Sequence, residues 1–383
     1  MILFDARLWG EEKAKHIHLA GGRIRTISDS REALEKITGE TILHLEGATL
    51  LPGLINSHDH LDFNLFPRLG NRIYSNYKEW GHAIQRENRD KINEILKIPQ
   101  HLRVSWGVYK NLLNGFTTVV NHGDKLNIRE SLISVLQDTF SLHSPGFEKN
   151  WKWKLNNPFL HGKTFVMHLG EGTDAAAIRE IDEVRKHNFF KRKIIAIHGV
   201  GMTEEQASSF PGLVWCPASN YFLLEKTARV DKLKDKIRIV FGTDSTLTSS
   251  WNAWEQFRLA MDSGLMNRDE LLNALTVIPA ALWNIPDAGL IKENMIADLI
   301  AVKNTGQLFD NNPEDILLVI QKGVTRVIDN RFTGQLKAGP GDGYSEIILN
   351  HSVKRVEGNL QALVSDIKKH FPAAYIPFSC NEH

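Results

Sequence analysis

Hydrophobic and polar positions follow two different periods along this chain. The first fifty residues hold short β-rich runs, MILFDARLW, KHIHLAGGRIRTIS and ETILHLEGATLL, with Gly21-Gly22 marking a hairpin turn. After residue 290 the strand-like pattern returns in GLIKENMIADLIAVK, DILLVIQKGVTRVIDN and SEIILN. Between these ends, short apolar runs (GFTTVVNHG, TFVMHLGEG, KIIAIHGVG, GLVWCPASN, RIVFGTDS) alternate with helical stretches such as DAAAIREIDEVRKHNFF and NAWEQFRLAMDSG. Strand–helix alternation predicts a parallel sheet, closed or open. The pattern therefore predicts an α/β body over 54–286, inserted into a smaller β unit made from 1–53 and 287–345. The remaining stretch, 346–383, reads as an extension. Its helical stripe of Leu360, Leu363, Val364 and Ile367 packs on the body by default, with a second copy of the chain, a homodimer, as the alternative.

The ends of the central strands decide between open and closed sheet. His58, His60, His122, His168, His198, Asn220 and Asp244 all fall at or just past the C-terminal end of an apolar run. In a barrel those ends converge on one mouth, whereas in an open sheet the outer ones stand too far apart to share a metal. The distribution favours a TIM-like (β/α)8 barrel. No Gly-x-Gly-x-x-Gly follows the first strand and no P-loop occurs, which weighs against a nucleotide cofactor.

Charge and composition narrow the partners. The 46 basic and 45 acidic residues leave a net charge of +1, and no basic tract or acidic tail stands out. Nucleic acid and membrane are not expected partners. No leader pattern opens the chain, and no run of about 18 apolar residues is present. The two cysteines, Cys216 and Cys380, form no metal or disulfide motif, which fits a reducing cytoplasm.

The candidate chemistry begins in LLPGLINSHDHLDFN. Residues two apart on a strand share a face, so His58 and His60 project into one space with Asp59 behind them. With 16 His in the chain, about 0.7 such pairs arise by chance. His16 and His18 form one, read as an ordinary strand. His168 supplies a third imidazole, enough for a catalytic zinc site with an open position. Glu171 lies three residues beyond it. Asp244 follows a buried strand and must be paired, metal-bound or a helix N-cap.

Taken in order from residue 52 to 302, the segments PGLINSHDH, GFTTVVNH, HLGEG, IHGVGM, WCPASN, GTDS and ALTVIPAALWNI…GLIKENMIADLIAV resemble the amidohydrolase superfamily. Within it, the chain is similar to the cytosine, guanine, S-adenosylhomocysteine and chlorotriazine deaminase branch. The outer strands resemble that family's small β-sandwich. The resemblance implies one divalent metal, zinc first and iron second, bound by His58, His60 and His168 with Asp244 as a further ligand or close neighbour. It implies His198 as a hydrogen-bonding partner of water or oxyanion and Glu171 as acid/base, so that Glu171, His198 and Asp244 carry catalysis. Lys163 precedes its strand, so the two-metal arrangement built on a carbamylated lysine is not expected. His122 is either a substrate contact or a partner to a ligand. Asn220, Trp80 and Trp251 are candidates for the wall of a small heterocycle's pocket.

One region departs from the family pattern. Between GFTTVVNH and HLGEG the family places two further strands with helices. Here one strand fits LISVLQDTFSLH and a second does not, so either a strand is degenerate or the barrel is abbreviated. FEKNWKWKLNN reads as a lid or a loop. The expected function is hydrolytic deamination of an amino-substituted heterocycle of nucleobase, pterin or triazine type. Opening of a cyclic amide comes second, and a non-catalytic relative third.

Overall fold

The structure is a computed structural model that describes residues 1–128, 130–337 and 343–380. Its centre holds two parallel sheets. One contains Leu54–Asp59, Phe116–Asn121 and Ser134–Leu136. The other contains Phe140–Leu142, Phe165–Leu169, Ile194–His198, Gly212–Trp215 and Arg238–Phe241, in chain order. Leu54–Asp59, Phe116–Asn121, Phe165–Leu169, Ile194–His198 and Gly212–Trp215 are buried at every position. Strands buried on both faces read as continuous apolar runs rather than alternating ones, as their sequences do.

The region where the sequence placed one strand instead of two has a physical resolution. Only Gln137–Thr139 separates Ser134–Leu136, which pairs with Phe116–Asn121, from Phe140–Leu142, which pairs with Phe165–Leu169. A crossover between parallel strands needs about a dozen residues or more. The two segments are therefore the halves of one extended run, each half bonded to a different sheet. On the other side, the Asp244 N–H donates to the His58 carbonyl at 3.0 Å and the Thr243 N–H to Asn56 Oδ1 at 3.0 Å. The two sheets thus touch at both margins.

Both chain ends enter a third, eleven-stranded sheet. Its seam is the antiparallel pairing of Ala48–Pro52 with Leu299–Lys303, in register from Leu299 opposite Pro52 to Lys303 opposite Ala48. Alternation sorts the side chains: Ile300 and Val302 join the core of the α/β body, while Leu299 and Ala301 join a separate cluster with Leu3, Ile17, Leu50 and Leu318.

The boundary expected at residue 345 falls inside the strand Tyr344–Leu349, and Ser352–Glu357 pairs with Val324–Asp329. Much of the expected extension is thus part of the sheet, because its alternating residues complete an existing edge. Its helix, Leu360–His370, buries Leu360, Leu363 and Ile367 and packs on the helix Gln100–Leu113. No helix among the described residues is long and apolar enough to cross a membrane.

Candidate active site

His58 and His60 stand at the end of Leu54–Asp59 with ring centroids 4.9 Å apart. His168, from the end of Phe165–Leu169, brings its Nε2 to 3.3 Å from His58 Nε2. One ring nitrogen from each of the three lies within 4.8 Å of the others. Asp244 Oδ1 is 3.7 Å from His58 Nε2 and 3.9 Å from His60 Nε2. Asp244 adopts a left-handed backbone (φ +54°), as does His198 (φ +70°). Such conformations cost energy in residues other than glycine and persist where the surroundings enforce them.

The protonation states suit a cation. Burial, then the charge of His58, pushes the pKa of His60 down to about 3. Burial also lowers His168 well below its ordinary value. Burial works against the Asp244 carboxylate. The hydrogen bond and charge of His58, joined by His60 and His198, nevertheless hold its pKa well below the usual range. Neutral His60 and His168 and the Asp244 carboxylate present lone pairs to the space that His58 also faces, which suits a divalent metal. His58 Nδ1 is buried without a hydrogen-bond partner among the described residues, so none of them fixes the tautomer of that ring. The N-cap alternative for Asp244 is not realised, because Asn252 caps the helix Ala253–Asp262. Asp244 Oδ2 instead accepts from Ser219 Oγ at 2.8 Å and Thr248 Oγ1 at 2.9 Å.

Behind the imidazoles lies a buried polar network. Asp59 accepts from Lys110 Nζ at 3.1 Å, Asn111 Nδ2 at 2.7 Å and Asn64 Nδ2 at 2.9 Å. Lys110 Nζ also donates to the Asp244 carbonyl at 3.1 Å. The lysine therefore ties the first strand of the body to the loop after the last one. The only sequence signal for it was a charged residue on an otherwise apolar stretch, VSWGVYKNLL.

A cavity of about 380 Å³ opens in front of these groups. His60, His168, Glu171, His198 and Asp244 form its polar end, and Phe63, Tyr77, Trp80 and Phe147 its aromatic walls. Trp80 is held there by donating Nε1–H to the Leu69 carbonyl at 2.7 Å. Glu171 Oε2 is 3.6 Å from His198 Nε2. Burial, followed by the negative charges of Asp244 and Glu180, raises the Glu171 pKa well above the ordinary carboxylate value. His198 Nδ1 donates to Asn220 Oδ1 at 2.8 Å, which leaves Nε2 as an acceptor facing the cavity. Burial lowers the pKa of that ring to about 4.

Three residues expected at the substrate do not line the cavity. His122 stacks on His168 (centroids 4.6 Å apart, 26° between planes) and lies 3.1 Å from Ser141 Oγ, a packing position behind a ligand candidate. Asn220 is occupied by His198 and by donating to Thr227 Oγ1 at 3.1 Å. The Trp251 carbonyl accepts from Asn114 just before the capped helix, away from the mouth. Conversely, His143 lines the cavity with its ring 5.1 Å from His168, beside His82 and Gln85. It closes the run LISVLQDTFSLH that the sequence marks as a strand, so its place at the strand end was the signal that could have found it. From the segment expected as a lid or loop, Phe147 alone reaches the cavity; Trp151–Leu155 is a helix elsewhere. His16 and His18 belong to none of the possible metal clusters among the described residues.

Comparison with known proteins agrees with the family resemblance. Residues 152–328 match the model of the Amidohydrolase family. An adenosine deaminase from Xanthomonas campestris with bound zinc shares the fold at a TM-score of 0.72 and 14% identity, covering 96% of this chain and 97% of its own. An atrazine chlorohydrolase from Arthrobacter aurescens, complexed with zinc and atraton, matches at 0.65 and 14%, covering 96% and 99%. A 5-methylcytosine deaminase from Klebsiella pneumoniae matches at 0.62 and 16%, covering 85% and 97%. No curated protein matches the chain by sequence.

Proposed function

We propose that this chain is a mononuclear metal-dependent aminohydrolase that releases ammonia from an uncharged amino-substituted heterocycle. One observation carries the reading: Glu171, with a pKa raised well above the ordinary carboxylate value, and Asp244, with one held well below it, share a cavity with His60 and His168, whose ring nitrogens converge with that of His58. Pairs of carboxyl groups driven apart in pKa divide acid and base roles. His58, His60 and His168 would hold the ion, with Asp244 beside it. When bound, a divalent cation there supplies a Lewis acid that brings the ionisation of water near neutrality. No lysine among the described residues lines the cavity, which supports one ion rather than two.

The chain's own groups then divide the remaining work. His198 Nε2, an acceptor because Asn220 holds the proton on Nδ1, orients the attacking water. Asp244 takes a proton from that water and passes it to the departing amine. Glu171 protonates the ring nitrogen, so that electrons have somewhere to go as the carbon is attacked. Water and the amine-bearing ring become the hydroxylated ring, or its keto tautomer, and ammonia. Phe63, Tyr77, Trp80 and Phe147 suit a planar ring. The lining residues include no lysine or arginine, so a phosphate or carboxylate on the substrate would lack a partner. By the same reading, the two parallel sheets close into a barrel sharing the 134–142 run, and the terminal sheet folds as the family's β-sandwich. The unpaired Cys216 and Cys380 fit a cytoplasmic enzyme.

The test is metal analysis of the purified protein followed by an ammonia-release screen across purines, pyrimidines, pterins and triazines, with imidazolones as the cyclic-amide arm. Ammonia from one class supports the proposal. Turnover of imidazolones without ammonia would replace it with ring opening.

A further inference from the structure

The face opposite the cavity carries an aromatic and basic patch that the hydrolase chemistry does not use. Two stretches build it, 149–163 before the strand Phe165–Leu169 and 185–193 before Ile194–His198. Both therefore sit at the N-terminal ends of strands whose C-terminal ends bear His168 and His198. Four large side chains are left in solvent: Trp153 is 71% exposed, Phe159 93%, Phe189 71% and Phe190 56%. Scattered apolar residues on a surface are ordinary, but clustered aromatics mark an interaction site.

The stretches are fastened to each other. Asn156 Nδ2 donates to the His187 carbonyl at 2.7 Å, and Asn156 Oδ1 accepts from the Phe189 N–H at 3.1 Å. Arg192 donates to the carbonyls of Leu160 at 3.0 Å and Asn157 at 2.7 Å, and lies 5.1 Å from the Phe190 ring centroid. The rings thus project from a braced surface.

Charge identifies the occupant. Nearby acids already have partners: Glu148 with Lys154, Asp182 with Arg185, Glu183 with Lys152 and His187, and Asp138 with Lys163. Lys149, Lys186, Lys191 and Lys193 are exposed and form no ion pair among the described residues. A depression of about 550 Å³ beside the rings is lined by Arg185, Lys186, Lys191 and Arg192, with Asp182 the one acid.

We propose that this face docks on the surface of an anionic lipid bilayer. The rings would enter the headgroup layer, while the free lysines would pair with lipid phosphates and carboxylates. A two-fold contact between copies would instead oppose the four free lysines to themselves. The active-site mouth would stay turned toward water. The expectation of no membrane partner rested on the lack of a basic tract. Here the charge is assembled from segments that only the fold brings together.

The test sediments the full-length protein with vesicles of phosphatidylcholine alone and of phosphatidylcholine with phosphatidylserine. Binding is expected only when phosphatidylserine is present, and should weaken as salt is raised. Lys191→Ala and Lys193→Ala should each weaken it about fivefold. The double substitution Trp153→Ala/Phe159→Ala should weaken it further while leaving Tm and hydrolytic activity unchanged. No sedimentation with either vesicle would overturn the proposal, as would equal binding to phosphatidylcholine alone. Binding of a single-stranded oligonucleotide in place of vesicles would overturn it in favour of nucleic acid. A dimer in sedimentation equilibrium that the double substitution dissolves, without lipid binding, would overturn it in favour of a second copy.

Discussion

At the scale of single residues, the lone pairs of His58, His60, His168 and Asp244 are held together with little to separate them. His58 Nε2 and His168 Nε2 are 3.3 Å apart, and Asp244 Oδ1 is 3.7 Å from the former. A cation at their centre relieves this crowding. The purified protein should carry about one zinc-like ion per chain. His58→Ala or His168→Ala should remove it, whereas His16→Ala should leave it in place; elemental analysis of the three variants decides. Glu171 plays a different part. Glu171→Gln keeps the shape and the cavity wall but cannot give or take a proton. Turnover should fall by about 10²–10⁴-fold, with the ion retained, because Glu171 is not needed to bind it. Unchanged turnover would remove Glu171 from the mechanism.

At the scale of elements, the helix Gln100–Leu113 decides whether the site forms. It presents Lys110 and Asn111 to Asp59, and it reaches that position by lying against the turn after His60. The contact depends on Gly107: a Cβ there would fall 2.1 Å from the Leu61 carbonyl oxygen. Backbone cannot yield as a flexible side chain would. Gly107→Ala should therefore cost about 1–3 kcal/mol, read from urea midpoints, and should also loosen the metal by moving Lys110. If stability falls while metal affinity stays at the wild-type value, the helix does not position the site. The Trp151–Leu155 helix, by contrast, lies away from the cavity apart from the preceding Phe147, so its exposed Trp153 can be replaced without touching the chemistry.

At the scale of the whole molecule, Glu180 couples stability to pH. Its carboxylate joins three parts of the chain: Oε1 accepts from the Gly170 N–H and Oε2 from the Tyr77 hydroxyl, each at 3.0 Å, and that hydroxyl accepts from the Gly146 N–H. Burial outweighs these bonds and raises its pKa from 4.5 to about 7. A carboxyl group with a raised folded-state pKa stabilises most when protonated. Its contribution is complete below about 4.5 and is lost as pH rises to about 7. The loss is roughly 3 kcal/mol. Glu180→Gln should flatten that part of the stability profile relative to wild type, measured by denaturant titration across the window. A parallel pair of profiles would mean that Glu180 ionises freely in the folded state.

The sequence by itself determined what local pattern can carry. Apolar runs too continuous to face water on one side specified buried parallel strands, and strand periodicity put His58 and His60 on one face. His168, His198 and Asp244 were legible because each ends such a run, and Glu171 because it follows His168 in HLGEG. What depended on distant segments was decided only by the tertiary structure. The 134–142 run looked like one strand because it is one length of chain, yet it serves two neighbours, which hydrogen bonding alone reveals. Lys110 reads as a surface charge until Asp59, 51 residues earlier, is folded against it. Asn220 read as a strand-end pocket residue, but it lies in the helix Pro217–Leu224, beyond the strand Gly212–Trp215, and its amide is taken by His198. Periodicity records which face a residue occupies within its own element. Which partner lies across that face is set by packing between elements, where His143 gained its place at the cavity and Trp251 lost one.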